Sequence, residues 1–107
     1  MKTIIIEDEN LTARRLEGML RKYEPAIEVL ATLPSVSDTV AWFKTNAEPD
    51  LVFMDIHLED DLAFKIFEQV QLQIPVIFTT AYDEYMIKAF KVNSIDYLLK
   101  PINFIVK

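Results

Sequence analysis

Short apolar runs alternate with longer amphipathic segments along this chain. The runs predict strands over residues 3–7, 27–32, 51–55, 76–80 and 95–99. Runs that are apolar at nearly every position are typical of strands buried on both faces, as in parallel sheets. The run at 27–32 is weaker and more polar, which favours a position at the edge of the sheet.

The segments between the runs predict helices over 11–23, 36–46, 62–70 and 84–92. Apolar residues of the first helix recur at helical spacing, namely Leu16, Met19, Leu20 and Tyr23. Asn10 is the predicted N-cap of this helix, and Ser35 or Ser37 that of the second. The alternation of strands and helices therefore extends through the whole chain.

This element order predicts an α/β fold, a doubly wound five-stranded parallel sheet with helices on both faces. Right-handed crossovers favour a flavodoxin-like strand order, 2-1-3-4-5. That order places the first and third strands side by side. A length of 107 residues fits a single domain over 1–107.

Composition narrows the classes of function. The formal net charge is −6, so the chain has no electrostatic footprint for a nucleic-acid backbone. It contains no cysteine, which excludes disulfides and thiolate metal sites. The apolar runs are far shorter than the roughly 20 residues of a membrane span, and no signal peptide is visible. We therefore expect a cytoplasmic protein that does not bind membranes.

Polar residues that could carry chemistry follow the predicted strands at their carboxyl ends. Glu7 and Asp8 follow the first strand, Asp55 ends the third, Thr80 ends the fourth and Lys100 follows the fifth. The carboxyl ends of parallel strands lie along one edge of a sheet, where open α/β folds bind ligands. We therefore expect three carboxylates, a hydroxyl and an ammonium group to converge on one site.

Three neighbouring carboxylates repel one another unless a cation lies between them. Magnesium prefers oxygen ligands and takes only a few carboxylates while keeping several waters. The single histidine and the absence of cysteine argue against zinc. The sequence thus predicts Mg²⁺ held by Asp8 directly, with Glu7 acting through water.

A carboxylate beside a cation, an ammonium group and a hydroxyl is suited to the oxygens of a phosphoryl group. Phosphoryl transfer depends mainly on positioning and charge neutralisation, and a carboxylate can act as its nucleophile. Asp55 is the best candidate nucleophile because it stands alone at the end of a central strand. Lys100 would supply the positive charge and Thr80 the hydroxyl donor.

Four motifs carry a resemblance to a known family. The segments are IIIEDE (4–9), LVFMDIHL (51–58), PVIFTTAY (75–82) and DYLLKP (96–101). Together, in this order and at this spacing, they resemble receiver domains of two-component response regulators over nearly the whole chain. The segment 81–102 is similar to the LytTR-type subfamily, whose receivers are usually followed by a DNA-binding output domain.

The resemblance implies a phosphorylation switch that requires Mg²⁺. Asp55 would accept a phosphoryl group from a histidine kinase. Asp55 would also be a ligand of the metal with Glu7 and Asp8, and the backbone carbonyl of His57 would complete the metal shell. Thr80 matches the switch hydroxyl and Tyr97 the switch aromatic residue. Lys100 matches the lysine that pairs with the phosphoryl group.

The resemblance also sets expectations about the ends and loops of the chain. An output domain of LytTR type is expected outside this chain, and DNA would be bound through it. Only six residues follow Pro101, so the fifth helix of the family is expected to be missing or truncated. The acidic run 59–61 is expected to be a solvated loop, in which Asp60 and Asp61 stand where many receivers have glycine. Whether two copies form a homodimer is left open.

Two other functions compete with the phosphoacceptor switch. A phosphorylation-independent receiver-like interaction module would usually lack one of the acidic residues, whereas all are present here. A small aspartyl-phosphate phosphohydrolase would usually carry a second aspartate two residues after its nucleophile and a cap domain. This chain has His57 at that position and no room for a cap, so no enzyme activity beyond self-phosphorylation and slow autodephosphorylation is expected.

Overall fold

Five parallel strands form one sheet in a computed structural model of the protein, which describes residues 1–80 and 96–99. In chain order they are β1 (Lys2–Ile6), β2 (Glu28–Leu33), β3 (Leu51–Asp55), β4 (Val76–Thr80) and β5 (Asp96–Leu99). Their order across the sheet is β2-β1-β3-β4-β5, which confirms the predicted topology. The predicted helix at 84–92 and the expected loss of the fifth helix lie outside the described residues.

The sheet is buried on both faces, as its apolar runs predict. In β1, Ile4 and Ile6 join one core cluster while Ile5 joins the other, and each is at most 1% exposed. Successive strand residues point to opposite faces, so a run without polar positions implies two covered faces. Strand β2 lies at the edge of the sheet, where its residues alternate between exposed and partly buried.

Three helices within residues 1–80 cover the two faces: α1 (Asn10–Tyr23), α2 (Val36–Thr45) and α3 (Phe64–Gln69). Helix α1 packs Leu16 and Leu20 on the Ile5 face, while α2 and α3 contribute to the core on the opposite face. Tyr23 does not belong to the buried stripe of α1, since it is 60% exposed in the last turn. In the described residues no helix has the length and apolar character required to cross a bilayer.

The helix caps differ in part from the predictions. Helix α1 begins at Asn10, and Glu9 occupies its N-cap position without a side-chain cap bond to the backbone. The Glu9 carboxylate instead accepts a hydrogen bond from the Thr12 hydroxyl. Ser35 is the cap of α2, and its Oγ accepts the Asp38 N–H at 3.0 Å. The assignment of Asn10 as a cap was therefore wrong, whereas that of Ser35 is confirmed.

Helix α3 begins two residues later than predicted because the segment before it is paired with itself. We call residues 56–63 the β3–α3 loop. In this loop the Leu58 N–H donates to the Asp61 carbonyl at 3.1 Å, and the Ala63 N–H donates to the Ile56 carbonyl at 2.7 Å. These bonds form an antiparallel bridge between His57 and Leu62, so the loop has a defined backbone path before the helix begins.

Candidate functional site

Strand register brings the predicted acidic residues to one edge of the sheet. Ile6 is paired with Met54, so the next residues along the two strands, Glu7 and Asp55, lie at the same level. Asp55 is in turn paired with Thr79 of β4. The carboxyl ends of β1, β3 and β4 therefore meet where the flavodoxin-like strand order places a ligand site.

Three carboxylates converge at this edge. Each of Glu7, Asp8 and Asp55 offers an oxygen atom, and these oxygens lie within 4.8 Å of one another. Glu7 and Asp55 are only 4% and 7% exposed, whereas Asp8 reaches solvent. Three like charges this close repel one another, and hard oxygen donors of this kind suit Mg²⁺. The donor set thus fits the predicted cation.

Backbone groups orient the two buried carboxylates. The N–H of Glu7 donates to the Leu33 carbonyl at 2.9 Å, which continues the pairing of β1 with β2. Its side-chain Oε2 accepts the Glu9 N–H at 3.3 Å, and Asp55 Oδ1 accepts the Ile56 N–H at 2.7 Å. These bonds offset part of the cost of burying charge and hold both carboxylates at the strand ends.

The β3–α3 loop fixes the peptide unit of His57 close to Asp55 in the chain. The two bonds of the bridge are made by the neighbours of His57 and Leu62, so the bridge does not use the carbonyl oxygen of His57. The side chain of His57 is exposed. The role of the carbonyl as a metal ligand stays a prediction.

The other predicted site residues lie at or beyond the limit of the described residues. Backbone pairing places Thr80 opposite Leu99, the residue that precedes Lys100 in the chain. The side chains of Thr80 and Tyr97 and the whole of Lys100 lie outside what is described. Their predicted roles in the switch therefore stay predictions.

Asp60 makes contacts that were not predicted. Its carboxylate oxygens accept the backbone N–H of Val36 at 2.8 Å and that of Ser37 at 3.0 Å, in the first turn of α2. Desolvation raises the pKa of Asp60, but hydrogen bonds from the N–H groups of Val36, Ser37, Asp60 itself and Asp61 outweigh it, so the pKa lies below its usual value. The acidic run is exposed as expected, yet Asp60 acts as a second cap of α2.

A protein-family comparison identifies the class that this fold and acidic edge define. The model of the response regulator receiver domain family matches residues 3–105. The chain therefore belongs to the receiver domain family of response regulators. Receiver domains are signalling switches that typically bind Mg²⁺ at an acidic pocket, and the cluster of Glu7, Asp8 and Asp55 lies at the corresponding edge.

Individual relatives refine the placement within the family. The chain is 33% identical over 106 residues to the sensory transduction protein LytT of Bacillus anthracis, covering 96% of this chain and 42% of that protein. It is 33% identical over 104 residues to the transcriptional regulatory protein LytR of Staphylococcus aureus, covering 94% and 42%. The chain thus spans less than half the length of these relatives.

A solved structure supports the same assignment. The response regulatory domain of protein MrkE from Klebsiella pneumoniae superimposes with a TM-score of 0.83 at 28% sequence identity, covering 96% of this chain and 85% of that one. The predicted fold class and the predicted similarity to receivers of the LytT and LytR kind are confirmed.

Proposed function

We propose that this chain is a phosphoacceptor switch in which Asp55 receives a phosphoryl group from a histidine kinase. The observation that carries the proposal is the convergence of Glu7, Asp8 and Asp55 within 4.8 Å at the carboxyl edge of the sheet. Three carboxylates held this close repel one another in the absence of a cation. A bound cation would relieve that repulsion and could also neutralise the charge of a phosphoryl group on Asp55.

Asp55 acts as the nucleophile. One of its carboxylate oxygens attacks phosphorus as the phosphorus–nitrogen bond of the kinase's phosphohistidine breaks, which yields an acyl phosphate and returns the imidazole to the kinase. The bond from Ile56 N–H to Asp55 Oδ1 fixes one carboxylate oxygen and so limits rotation of the side chain. Such fixed geometry lowers the entropic cost of reaching an in-line arrangement.

Magnesium would be held by Asp8, Asp55 and the backbone carbonyl of His57, with Glu7 acting through water. When bound, the ion neutralises charge on the phosphoryl oxygens. The exposure of Asp8 suits a ligand at the mouth of the site, and the burial of Glu7 suits an outer role supported by the Glu9 N–H.

Thr80, Lys100 and Tyr97 would convert phosphorylation into a conformational change. Lys100 would pair with the phosphoryl group, and Thr80 would move toward it and allow Tyr97 to turn inward. The ligand then shifts a population between two states because it contacts them differently. The pairing of Thr80 with Leu99 supports this assignment because it aligns β4 with the strand that precedes Lys100.

The signal would pass to an output domain beyond this chain. The relatives that carry the names LytT and LytR are more than twice as long as the matched segment and are described as sensory transduction and transcriptional regulatory proteins. We propose a LytTR-type DNA-binding domain as this output. Association of two copies as a homodimer is compatible with such a role.

Phosphorylation with a small donor tests the proposal. The purified chain is incubated with acetyl phosphate and Mg²⁺, and its mass is measured intact. Wild type should gain one phosphoryl group, and Asp55→Asn should gain none. Asp50→Asn is the matched control, because Asp50 precedes the same strand at its opposite end and bonds the Lys2 N–H. Equal labelling of Asp55→Asn and wild type would refute the proposal.

A further inference from the structure

We infer that Asp60 is a positioning residue that holds the β3–α3 loop in the shape required for cation binding. The inference rests on the proposed function, since it concerns the same acidic site. Within residues 1–80, the carboxylate of Asp60 forms no hydrogen bond with Glu7, Asp8 or Asp55. It accepts hydrogen bonds from the start of α2 instead. Its effect on the site must therefore pass through the loop.

Among the described residues, three hydrogen bonds join the loop to the first turn of α2 and the segment just before it. Two are the bonds from Val36 and Ser37 N–H to the separate oxygens of Asp60, at 2.8 and 3.0 Å. The third joins the Glu59 N–H to the Pro34 carbonyl at 3.4 Å. We call these three bonds the loop clamp. It links positions more than 20 residues apart in the chain, so local sequence alone does not hold the loop in place.

The clamp shares the N-terminus of α2 with a separate cap. Ser35 Oγ accepts the Asp38 N–H, while Asp60 accepts the two N–H groups before it. The first N–H groups of a helix lack partners within the helix, and acidic groups there are stabilised by the helix dipole. The N–H groups of Val36 and Ser37 therefore already have a partner, the carboxylate of Asp60.

The clamp is connected to the acidic site by a short path of backbone. From Asp60 the path passes through the bond of Leu58 N–H to Asp61 carbonyl and then through the bridge at His57. The side chain of Leu58 is 8% exposed and packs in the core, which anchors the opposite side of the loop. The peptide of His57 thus lies between the clamp and the end of β3, so releasing Asp60 frees the segment that carries the predicted metal ligand.

Removal of the Asp60 carboxylate should weaken cation binding without removing a ligand. An unclamped loop must be ordered when the cation binds, and that ordering costs free energy. We expect Asp60→Ala to raise the Mg²⁺ dissociation constant about tenfold, the lower end of losses seen when groups that orient metal ligands are removed. The measurement is a Mg²⁺ titration followed by amide chemical shifts of the folded chain.

Two matched variants separate positioning from other effects. Ser35→Ala removes the other cap of α2 but leaves the loop clamp intact, so it reports helix destabilisation alone. Glu59→Ala removes the same charge from the same loop while leaving the Asp60 carboxylate in place. Both should retain the Mg²⁺ affinity of wild type within about twofold, since neither removes a group that orients a metal ligand. Asp60→Asn keeps one carbonyl acceptor and should be intermediate, and it serves as the test variant if Asp60→Ala does not fold.

The outcomes distinguish this inference from the proposed function. If wild type binds Mg²⁺ and is labelled on Asp55, but Asp60→Ala and Asp60→Asn bind Mg²⁺ as wild type does, the positioning role alone is overturned. Equal weakening by Ser35→Ala or Glu59→Ala also overturns it. If wild type neither binds Mg²⁺ nor is phosphorylated, the proposed function fails and the positioning role fails with it.

Discussion

At the scale of single residues, the three carboxylates of the acidic edge differ in their surroundings. Glu7 and Asp55 are buried and bonded by backbone N–H groups, whereas Asp8 is exposed. A solvent-facing carboxylate can bind a hydrated ion with little rearrangement, because Mg²⁺ keeps several of its waters. Asp8 is therefore the residue whose removal should separate metal affinity from folding most clearly.

Asp8→Asn should have opposite effects on the metal-free and metal-bound protein. Without Mg²⁺ it removes one repelling charge, which should raise the free energy of unfolding by about 1 kcal/mol, the Coulomb energy of two charges at this range in water. With Mg²⁺, wild type gains stability by mass action, about 1.4 kcal/mol at ten times the dissociation constant, and the variant should gain much less. Urea unfolding with EDTA and with Mg²⁺ measures both effects.

Glu28→Gln is the control for that comparison. Glu28 is the first residue of β2 and is paired with Lys2, so it lies at the amino ends of the strands, away from the acidic cluster. Its unfolding should respond to Mg²⁺ as wild type does. An Asp8→Asn variant that is less stable in EDTA, or equally stabilised by Mg²⁺, would contradict the assignment of Asp8 to the metal.

The sequence predicts the acidic cluster but not the role of Asp60, for a physical reason. Glu7, Asp8 and Asp55 follow apolar runs, and the parallel sheet places the ends of those runs together. The partners of Asp60 are N–H groups of a helix more than 20 residues earlier in the chain. The pattern of apolar and polar residues does not predict a side-chain contact over that distance. An acidic residue in a polar loop has the same sequence pattern whether it is solvated or bonded.

At the scale of elements, the accuracy of each predicted strand or helix boundary depends on how sharply the local apolar pattern ends. Strands β3 and β4 match the predicted ranges 51–55 and 76–80, because each apolar run ends sharply. Helix α3 was predicted two residues too early, because backbone pairing between Ile56 and Ala63 competes with the first helical turn. Both the edge position and the weaker burial of β2 were predictable from its polar positions.

The Asp60 carboxylate at the N-terminus of α2 should make the free energy of unfolding depend on pH. The pKa of Asp60 is lower in the folded chain, so its ionised form favours folding at pH values above its unfolded pKa of about 4. That contribution is lost as pH falls through the folded pKa. The difference in unfolding free energy between wild type and Asp60→Ala should be constant from pH 7 to about 5 and should shrink below about 4.

Urea unfolding at a series of pH values measures this difference. Ser35→Ala provides the control, because its hydroxyl does not titrate in this range and its loss should cost about 1 kcal/mol at each pH. A difference between wild type and Asp60→Ala that grows as the pH falls would contradict the cap.

At the scale of the whole molecule, the net charge predicts whether this chain binds DNA by itself. The formal net charge of −6 opposes association with the negatively charged backbone of DNA. We therefore expect no binding of this chain to duplex DNA by fluorescence anisotropy up to about 100 µM, the weak end of non-specific affinities. Phosphorylation adds further negative charge and should not change this result. Salt-sensitive binding at lower concentration would place a DNA-binding function in this chain rather than in an output domain.

The central claim is that the acidic edge of the sheet directs a phosphoryl group to one residue. The most direct measurement is to phosphorylate the chain with acetyl phosphate and Mg²⁺, reduce the acyl phosphate with borohydride, and locate the modified residue by peptide mass spectrometry. Reduction converts a phosphorylated aspartate to homoserine. We predict homoserine at position 55 alone, and none when EDTA replaces Mg²⁺. Homoserine at another aspartate with Asp55 unmodified, or modification that is independent of Mg²⁺, would contradict this account.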